Sequence, residues 1–214
     1  MVDSSRSDDL ISTILFDADG VMQRTAVGWE DELVALLGDR SEADGERFLA
    51  AIREAEVPTM NGKTDIVESM AAVLDDFSVS ADASEVLELW TRIERDASMI
   101  AAVRDLRGDR VRCCLATNQQ VRRARWMRDN LGYEDIFDRQ FYSCELGLAK
   151  PDPTYFTTIL DELDVKASTV LFVDDTQVNV EGARSAGISA ELFRRHGGRA
   201  ALEEILSGYV VLGR

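Results

Sequence analysis

Seven polar residues stand at or just past the ends of apolar runs, where side chains of their types can act together. Asp17 and Asp19 follow the run in ILFDADG, and Thr117 and Asn118 follow the one in LATNQ. Lys150 lies in GLAKPDP, ahead of a proline that disfavours early helix, and Asp174 and Asp175 follow LFV in LFVDDTQ. Clustered carboxylates bind a hard cation through oxygen, and Mg²⁺ in particular takes few protein ligands beside water and substrate phosphate. An aspartate such as Asp17 can attack phosphorus as a nucleophile. Anion meeting anion needs local positive charge, which the cation and Lys150 supply. Thr117, Asn118 and nearby backbone N–H groups can hold phosphoryl oxygens. Asp19, two residues past Asp17, is placed to protonate a leaving alcohol and then to activate water. Singly these residues say little. Asp-Asp recurs at Asp8-Asp9 and Asp75-Asp76, and Lys-Pro or Thr-Asn is loop chemistry first. The combination is the informative part.

Three apolar runs must position them: Ile11 to Phe16, Val111 to Ala116 and Thr169 to Val173. Their continuous apolarity predicts strands covered on both faces, as in a parallel sheet. Helices are predicted over Gln120 to Leu131, Pro153 to Leu163 and Val178 to Ala186, with Gly132 and Gly187 as stops. The alternation gives an α/β, Rossmann-like core whose ligands bind outside the carboxyl ends of the strands. Between Thr25 and Asp96 the rhythm changes to helical periodicity alone, in blocks at Trp29–Leu37, Ser41–Glu56, Thr64–Phe77 and Ala83–Asp96. The predicted organisation is a core of residues 1–24 and 97–214 interrupted by a helical insert, residues 25–96.

The 214 residues are 45% hydrophobic and 30% charged, too apolar for disorder. No apolar run approaches a bilayer span, and MVDSSRSDDL has the character of neither a signal nor a transit peptide, so a cytoplasmic location is expected. A net charge of −16 argues against nucleic acid and anionic membranes as partners. Cys113, Cys114 and Cys144 lack metal-ligand spacing and read as reduced packing residues.

Four motifs in order, with a helical insert directly after the first, resemble the haloacid-dehalogenase-like (HAD) superfamily in its helical-cap phosphatase branch, subfamily I. The resemblance covers nearly the whole chain. It implies a HAD-like fold with a cap, and a phosphohydrolase working through an aspartyl-phosphate on Asp17, with Asp19 as general acid/base. Thr117 matches the second motif and Lys150 the third. Mg²⁺ would be held by the Asp17 carboxylate, the Asp19 main-chain carbonyl and Asp175, with Asp174 acting mostly through water. The expected substrate is a small phosphorylated metabolite. Family members that remove halide from carbon lack the second aspartate of the first motif. Asp19 therefore favours a phosphatase, with a phosphosugar mutase of the same branch left open.

A phospho-accepting receiver module uses similar residue types but carries its acidic pair early, whereas here the nucleophile comes first. A serine–histidine triad would have to use His196, in RRHGGR, with no GxSxG turn. NGKT at Asn61–Thr64 lacks the preceding P-loop glycine, since position 57 is Val57. Asn61 and Lys63 remain minor candidates for substrate contact. Arg122, Arg123, Arg125 and Arg128 would spread over more than one face of a helix and are expected to be a solvated, salt-bridged surface, with a phosphate-rich partner as the alternative. Trp29, Trp90 and Trp126 are expected to pack.

Overall fold

The computed structural model describes residues 10–108, 111–209 and 211. Asp8-Asp9 and most of the polar N-terminal stretch lie outside them. In chain order the elements begin with β1 (Thr13–Phe16), β2 (Gln23–Thr25), α1 (Trp29–Ala35), α2 (Glu42–Glu56), α3 (Ile66–Asp76) and α4 (Ala83–Val86). Then come β3 (Ile93–Arg95), α5 (Ala97–Gly108), β4 (Arg112–Thr117), α6 (Val121–Asn130), β5 (Arg139–Tyr142), α7 (Ser143–Leu146) and α8 (Pro153–Leu163). The chain closes with β6 (Val170–Asp174), α9 (Gln177–Ser185), β7 (Ser189–Leu192) and α10 (Gly198–Ser207).

Five strands form one parallel sheet in the order β5-β4-β1-β6-β7, so the expected α/β, Rossmann-like core is present. Side chains alternate across it, as the pleat requires. Ile14, Phe16, Cys113 and Leu115 pack on one face with Met99, Val103 and Leu202 of α5 and α10. Leu15, Cys114, Ala116 and Phe172 pack on the other with Tyr155, Phe156 and Val180 of α8 and α9. This explains the unbroken apolar runs: both faces of each inner strand are covered. Adjacent Cys113 and Cys114 thus point to opposite sides, and both are buried and free, as expected for packing residues.

The helices between β2 and β3 have a hydrophobic cluster of their own, with Leu33, Phe48, Ile52, Met70, Leu74, Leu87 and Trp90 at its centre. Ser41, Asp65 and Asp82 cap three of these helices, accepting from Asp44, Val67 and Glu85 N–H groups. The expectation of an insert with no strand needs correction. Ala83–Asp96 is not one helix: it breaks into α4, a 3₁₀ turn over Leu87–Thr91 and β3, which pairs antiparallel with β2. Each of these strands is three residues long and carries an exposed charge, Arg24 or Glu94, so neither gives an apolar run. This ribbon is the double crossing between the sheet and the helical insert. Among the described residues no helix is long and apolar enough to cross a membrane.

Candidate functional site

Register brings the motifs together. β1 lies between β4 and β6, with Phe16 level with Leu115 on one side and Val173 on the other. The next residue on each side of the β1–β6 pair is an aspartate, so Asp17 and Asp174 are neighbours, and the Asp17 N–H donates to Val173 O at 2.9 Å. The chain then turns sharply: Met22 and Gln23 N–H groups both donate to Ala18 O. Gly20 has φ +85°, and a Cβ there would lie 2.0 Å from Asp175 Oδ2. Only glycine lets this turn and the Asp175 carboxylate share the space.

Lys150 arrives from the β5–α8 connection. Asn118 holds its backbone from both sides, donating through Nδ2 to Lys150 O at 2.8 Å and accepting from Lys150 N at 2.9 Å. A cis peptide joins Lys150 to Pro151, and Pro151 in turn sits against α9 at Gly182, where a Cβ would meet Pro151 O at 2.1 Å. From this seat Lys150 Nζ donates to Asp17 Oδ1 and to Asp174 Oδ2, both at 2.7 Å. The Lys150 and Asp174 side chains are 1% and 0% exposed. Asp174 also accepts from Thr176 N at 2.7 Å and from Asn179 Nδ2. Carboxylate oxygens of Asp17, Asp174 and Asp175 come within 4.8 Å of one another, a hard-oxygen donor set of the kind that fits Mg²⁺. Arg195 Nε pairs with Asp175 Oδ2 at 3.0 Å on the outer side.

Burial dominates the electrostatics of Asp17. It pushes the carboxyl up from 3.8 to about 7; Lys150 opposes the rise and Asp174 adds to it. Burial also works against the Lys150 ammonium, but Asp17 and Asp174 more than offset it and hold it charged.

Asp19 faces elsewhere, and the expected sites divide here. Its carboxylate is not among the three clustered ones. Oδ1 accepts from Gln23 Nε2 at 3.1 Å and Arg123 Nη2 at 2.8 Å, and Oδ2 from Gln119 Nε2 at 2.7 Å and Arg123 Nη1 at 2.5 Å. Burial resists the charge, but these partners outweigh it and bring the carboxyl down to about 2. Gln119 also donates to Thr117 Oγ1 at 3.0 Å, so the second motif's hydroxyl and Asp19 share one partner. Thr117 ends β4, buried beside the same loop.

Arg123 overturns one expectation. Within the supposed solvated face it is buried, at 7% exposure, whereas Arg122 pairs with Glu88 and Arg128 with Glu145 at the surface. The sequence does carry a trace of this: Ala124 and Met127 are the buried face of α6, and Arg123 is next to Ala124 and four residues before Met127. Asn61 and Lys63 do not meet the carboxylates. Lys63 lines a groove of about 640 Å³ between Gly62–Val67 and the outer face of α6, with Val121, Arg125 and Trp126. His196 is exposed in a 3₁₀ turn. Trp29 and Trp90 pack edge to face at 5.2 Å in the insert.

Relatives share this frame. A Bacteroides thetaiotaomicron HAD family enzyme superposes with a TM-score of 0.74 at 18% identity, over 87% of this chain and 95% of that one. The L-2-haloacid dehalogenase of Xanthobacter autotrophicus does so with a TM-score of 0.67 at 19% identity, over 94% and 84%. In sequence, a phosphorylated carbohydrates phosphatase of Thermotoga maritima is 24% identical over 83% of this chain and 82% of that protein. A sesquiterpene phosphatase of Aspergillus oryzae is 34% identical over 44% of this chain and 47% of that protein. The family profile described as haloacid dehalogenase-like hydrolase matches residues 11–187. With that profile running from residue 11 to residue 187, through the strands that carry the acidic cluster, the chain belongs to the haloacid dehalogenase-like hydrolases.

Proposed function

We propose that this hydrolase is a Mg²⁺-dependent phosphatase that removes phosphate from a small phosphorylated metabolite through an aspartyl-phosphate on Asp17. The observation that carries the reading is Lys150 Nζ bridging Asp17 and Asp174 at 2.7 Å each, with Asp175 beside them. It is a cation held among carboxylates at the carboxyl edge of a parallel sheet, an arrangement suited to phosphoryl transfer, and Asp19, the second aspartate of the first motif, is what favours a phosphatase over carbon–halogen cleavage. The named phosphatases among the relatives agree, including a phosphoglycolate phosphatase of Rhodospirillum rubrum, 27% identical over 82% of this chain.

In this reading Asp17, Asp175 and the Asp19 main-chain carbonyl would hold Mg²⁺, with Asp174 behind them. Bound there, the ion supplies positive charge that keeps Asp17 ionised and draws electron density from the phosphoryl oxygens. Lys150, Thr117 and Asn118 orient the phosphoryl group against Asp17. An Asp17 carboxylate oxygen attacks phosphorus and the bond from phosphorus to the alcohol oxygen breaks; Asp19, once released from Arg123 and Gln119 and protonated from solvent, delivers its proton to that oxygen. Water then attacks the same phosphorus while Asp19 takes its proton, releasing phosphate and restoring Asp17. Residues 25–96 act as a cap on the core of residues 1–24 and 97–214, shielding the reaction from bulk water. Three free cysteines suit a reducing cytoplasm.

The test is inorganic phosphate release from p-nitrophenyl phosphate and a panel of sugar and other metabolite phosphates, with Mg²⁺ and with EDTA. Metal-dependent turnover that disappears in Asp17→Asn supports the reading, and the panel ranks substrates. Interconversion of sugar phosphate isomers without phosphate release would make the enzyme a mutase. Turnover undiminished in Asp17→Asn would end the proposal.

A further inference from the structure

Two cations reach the carboxylate cluster, and they differ in how easily each could leave. Lys150 Nζ bridges Asp17 and Asp174 from inside and is fully buried. Arg195 comes from outside: its Nε lies 3.0 Å from Asp175 Oδ2, and its side chain is 59% exposed. Its backbone is tied down close by. Phe193, two residues earlier, is buried in the core and donates its N–H to Asp174 O at 2.8 Å. The chain then makes the 3₁₀ turn Arg195–Gly197, and Gly198, at φ +49°, leads it into α10. Arg195 thus stands on a tethered turn beside Asp175, with a guanidinium that can swing into water.

The guanidinium also has a defined place. A Cβ on Gly20 would meet Asp175 Oδ2 at 2.0 Å and Arg195 Nη2 at 2.7 Å, so oxygen and guanidinium lie together over that glycine. Gly20 directly follows Asp19, whose main-chain carbonyl belongs to the proposed cation-binding set. The other oxygen of Asp175, Oδ1, accepts from Thr176 Oγ1 at 3.2 Å. Arg195 therefore covers the side of Asp175 that is turned toward the first motif.

We infer that Arg195 is a displaceable counter-ion of Asp175, which competes with Mg²⁺ for that carboxylate and so sets the metal affinity of the site. This rests on the reading of Asp175 as a Mg²⁺ ligand and not on turnover. Lys150 and one divalent cation together balance three ionised carboxylates, so a further cation on Asp175 is surplus. Two cations on one carboxylate repel each other even with water around them. Lys150 is locked in place by Asp17, Asp174 and Asn118, whereas an exposed pair such as Arg195–Asp175 contributes little and parts readily. Arg195 is the one to leave. A pair that served only to hold Asp175 in position would act with the opposite sign, because losing it would weaken metal binding.

The test is calorimetric titration of Mg²⁺ into the full chain without substrate. Binding by the wild type that is lost in Asp175→Asn identifies the site. Arg195→Gln is expected to bind Mg²⁺ about 10-fold more tightly, since a neighbouring positive charge has gone. Arg199→Gln removes the same charge from the exposed Arg199–Asp105 pair and should leave Kd within about 2-fold of the wild type. Phenylglyoxal labelling of arginines, read by mass spectrometry, gives a second measurement: Arg195 should label faster in saturating Mg²⁺ than in EDTA. An unchanged or weaker affinity in Arg195→Gln, an equal tightening in Arg199→Gln, or labelling of Arg195 that Mg²⁺ slows or leaves alone would each overturn the inference. A wild type that binds Mg²⁺ and shows the competition but releases no phosphate would end the phosphatase reading and leave this one standing. A wild type that binds no Mg²⁺ would end both.

Discussion

Asp17 and Asp19 stand two residues apart on one turn, yet the protein treats them oppositely. Asp17 is enclosed by the sheet and meets a single ammonium that it shares with Asp174, so burial prevails and its carboxyl rises to about 7. Asp19 sits at the seam between the sheet and the helical insert, where about a third of its side chain is exposed. There a full guanidinium fork and two amides hold its carboxyl down at about 2. The difference is one of partner count per carboxylate: two anions for one Lys150, against one anion for one Arg123 with Gln119 and Gln23 besides. The proposed roles ask for the reverse order, so a bound cation must ionise Asp17 and Asp19 must leave Arg123 before either can act. The Asp17 side is frustrated until more positive charge arrives, and the Asp19 side is already satisfied.

The largest effect should come from breaking the frustrated side. Lys150→Met removes the one cation from between two buried carboxylates, leaving Asp17 and Asp174 unpaired at 6% and 0% exposure. Removing one partner of such a buried cluster costs about 3–5 kcal/mol. We expect a large drop in the urea midpoint at pH 7.5 and loss of phosphate release. The Arg199–Asp105 pair is exposed, and Arg199→Met should change the midpoint little, since such pairs contribute about 0–1 kcal/mol. A Lys150→Met protein as stable as Arg199→Met would show that Lys150 is not what offsets the two buried carboxylates, and would dismantle the comparison.

A smaller loss is expected where the frame, not the charge, is altered. Gly182→Ala places a methyl 2.1 Å from Pro151 O, against backbone that holds Lys150 in its seat. Relief requires α9 or the Lys150–Pro151 segment to shift, at a cost of about 1–3 kcal/mol. On the phosphatase reading, kcat should fall with it because Lys150 Nζ moves relative to Asp17. Gly38→Ala, in a turn of the insert where a Cβ meets no atom within 4 Å, is the control: φ +65° makes it costly for stability, but kcat should hold. Equal kcat losses in both would mean that Gly182 acts through global stability alone.

The contrast between the two aspartates also marks what the sequence discloses. Asp17, Lys150, Asp174 and Asp175 were legible because each directly follows, or is fixed beside, a strand whose unbroken apolarity announces two-sided burial. The β1–β6 register then does the rest, bringing Asp17 beside Asp174. The edge strands β5 and β7 gave no such run, since each is covered less fully and carries polar residues such as Arg139 and Glu191. Nor did β2 and β3, whose pairing depends on each other and on nothing local. Arg123 was hidden for a related reason. Four arginines within eight residues look alike in a helical pattern, and only the approach of Asp19 and of the Trp90 carbonyl turns one of them inward. Strands announce themselves by composition, whereas the seam exists only in three dimensions.

The finest test of the comparison is the sign of two pH dependences, measured by urea unfolding in EDTA. Because the folded protein raises the Asp17 carboxyl from 3.8 to about 7, it favours the protonated form. Its stability from this group is present below about pH 4 and is lost as pH rises to about 7. Asp17→Asn cannot ionise, so the variant should gain on the wild type across that window and hold a constant lead above it. Asp19 runs the other way. Its carboxyl is lowered to about 2, so its contribution is present above about pH 4 and disappears as pH falls towards 2. Asp19→Asn should therefore trail the wild type at pH 6 and draw level with it only as the pH is taken below about 2. The Asp19 effect should be the smaller, because water reaches its partly exposed carboxylate and can replace some of its partners. Two curves of the same sign would mean that Lys150 and Arg123 serve their carboxylates alike, and the division of the turn into a frustrated and a satisfied half would have to be abandoned.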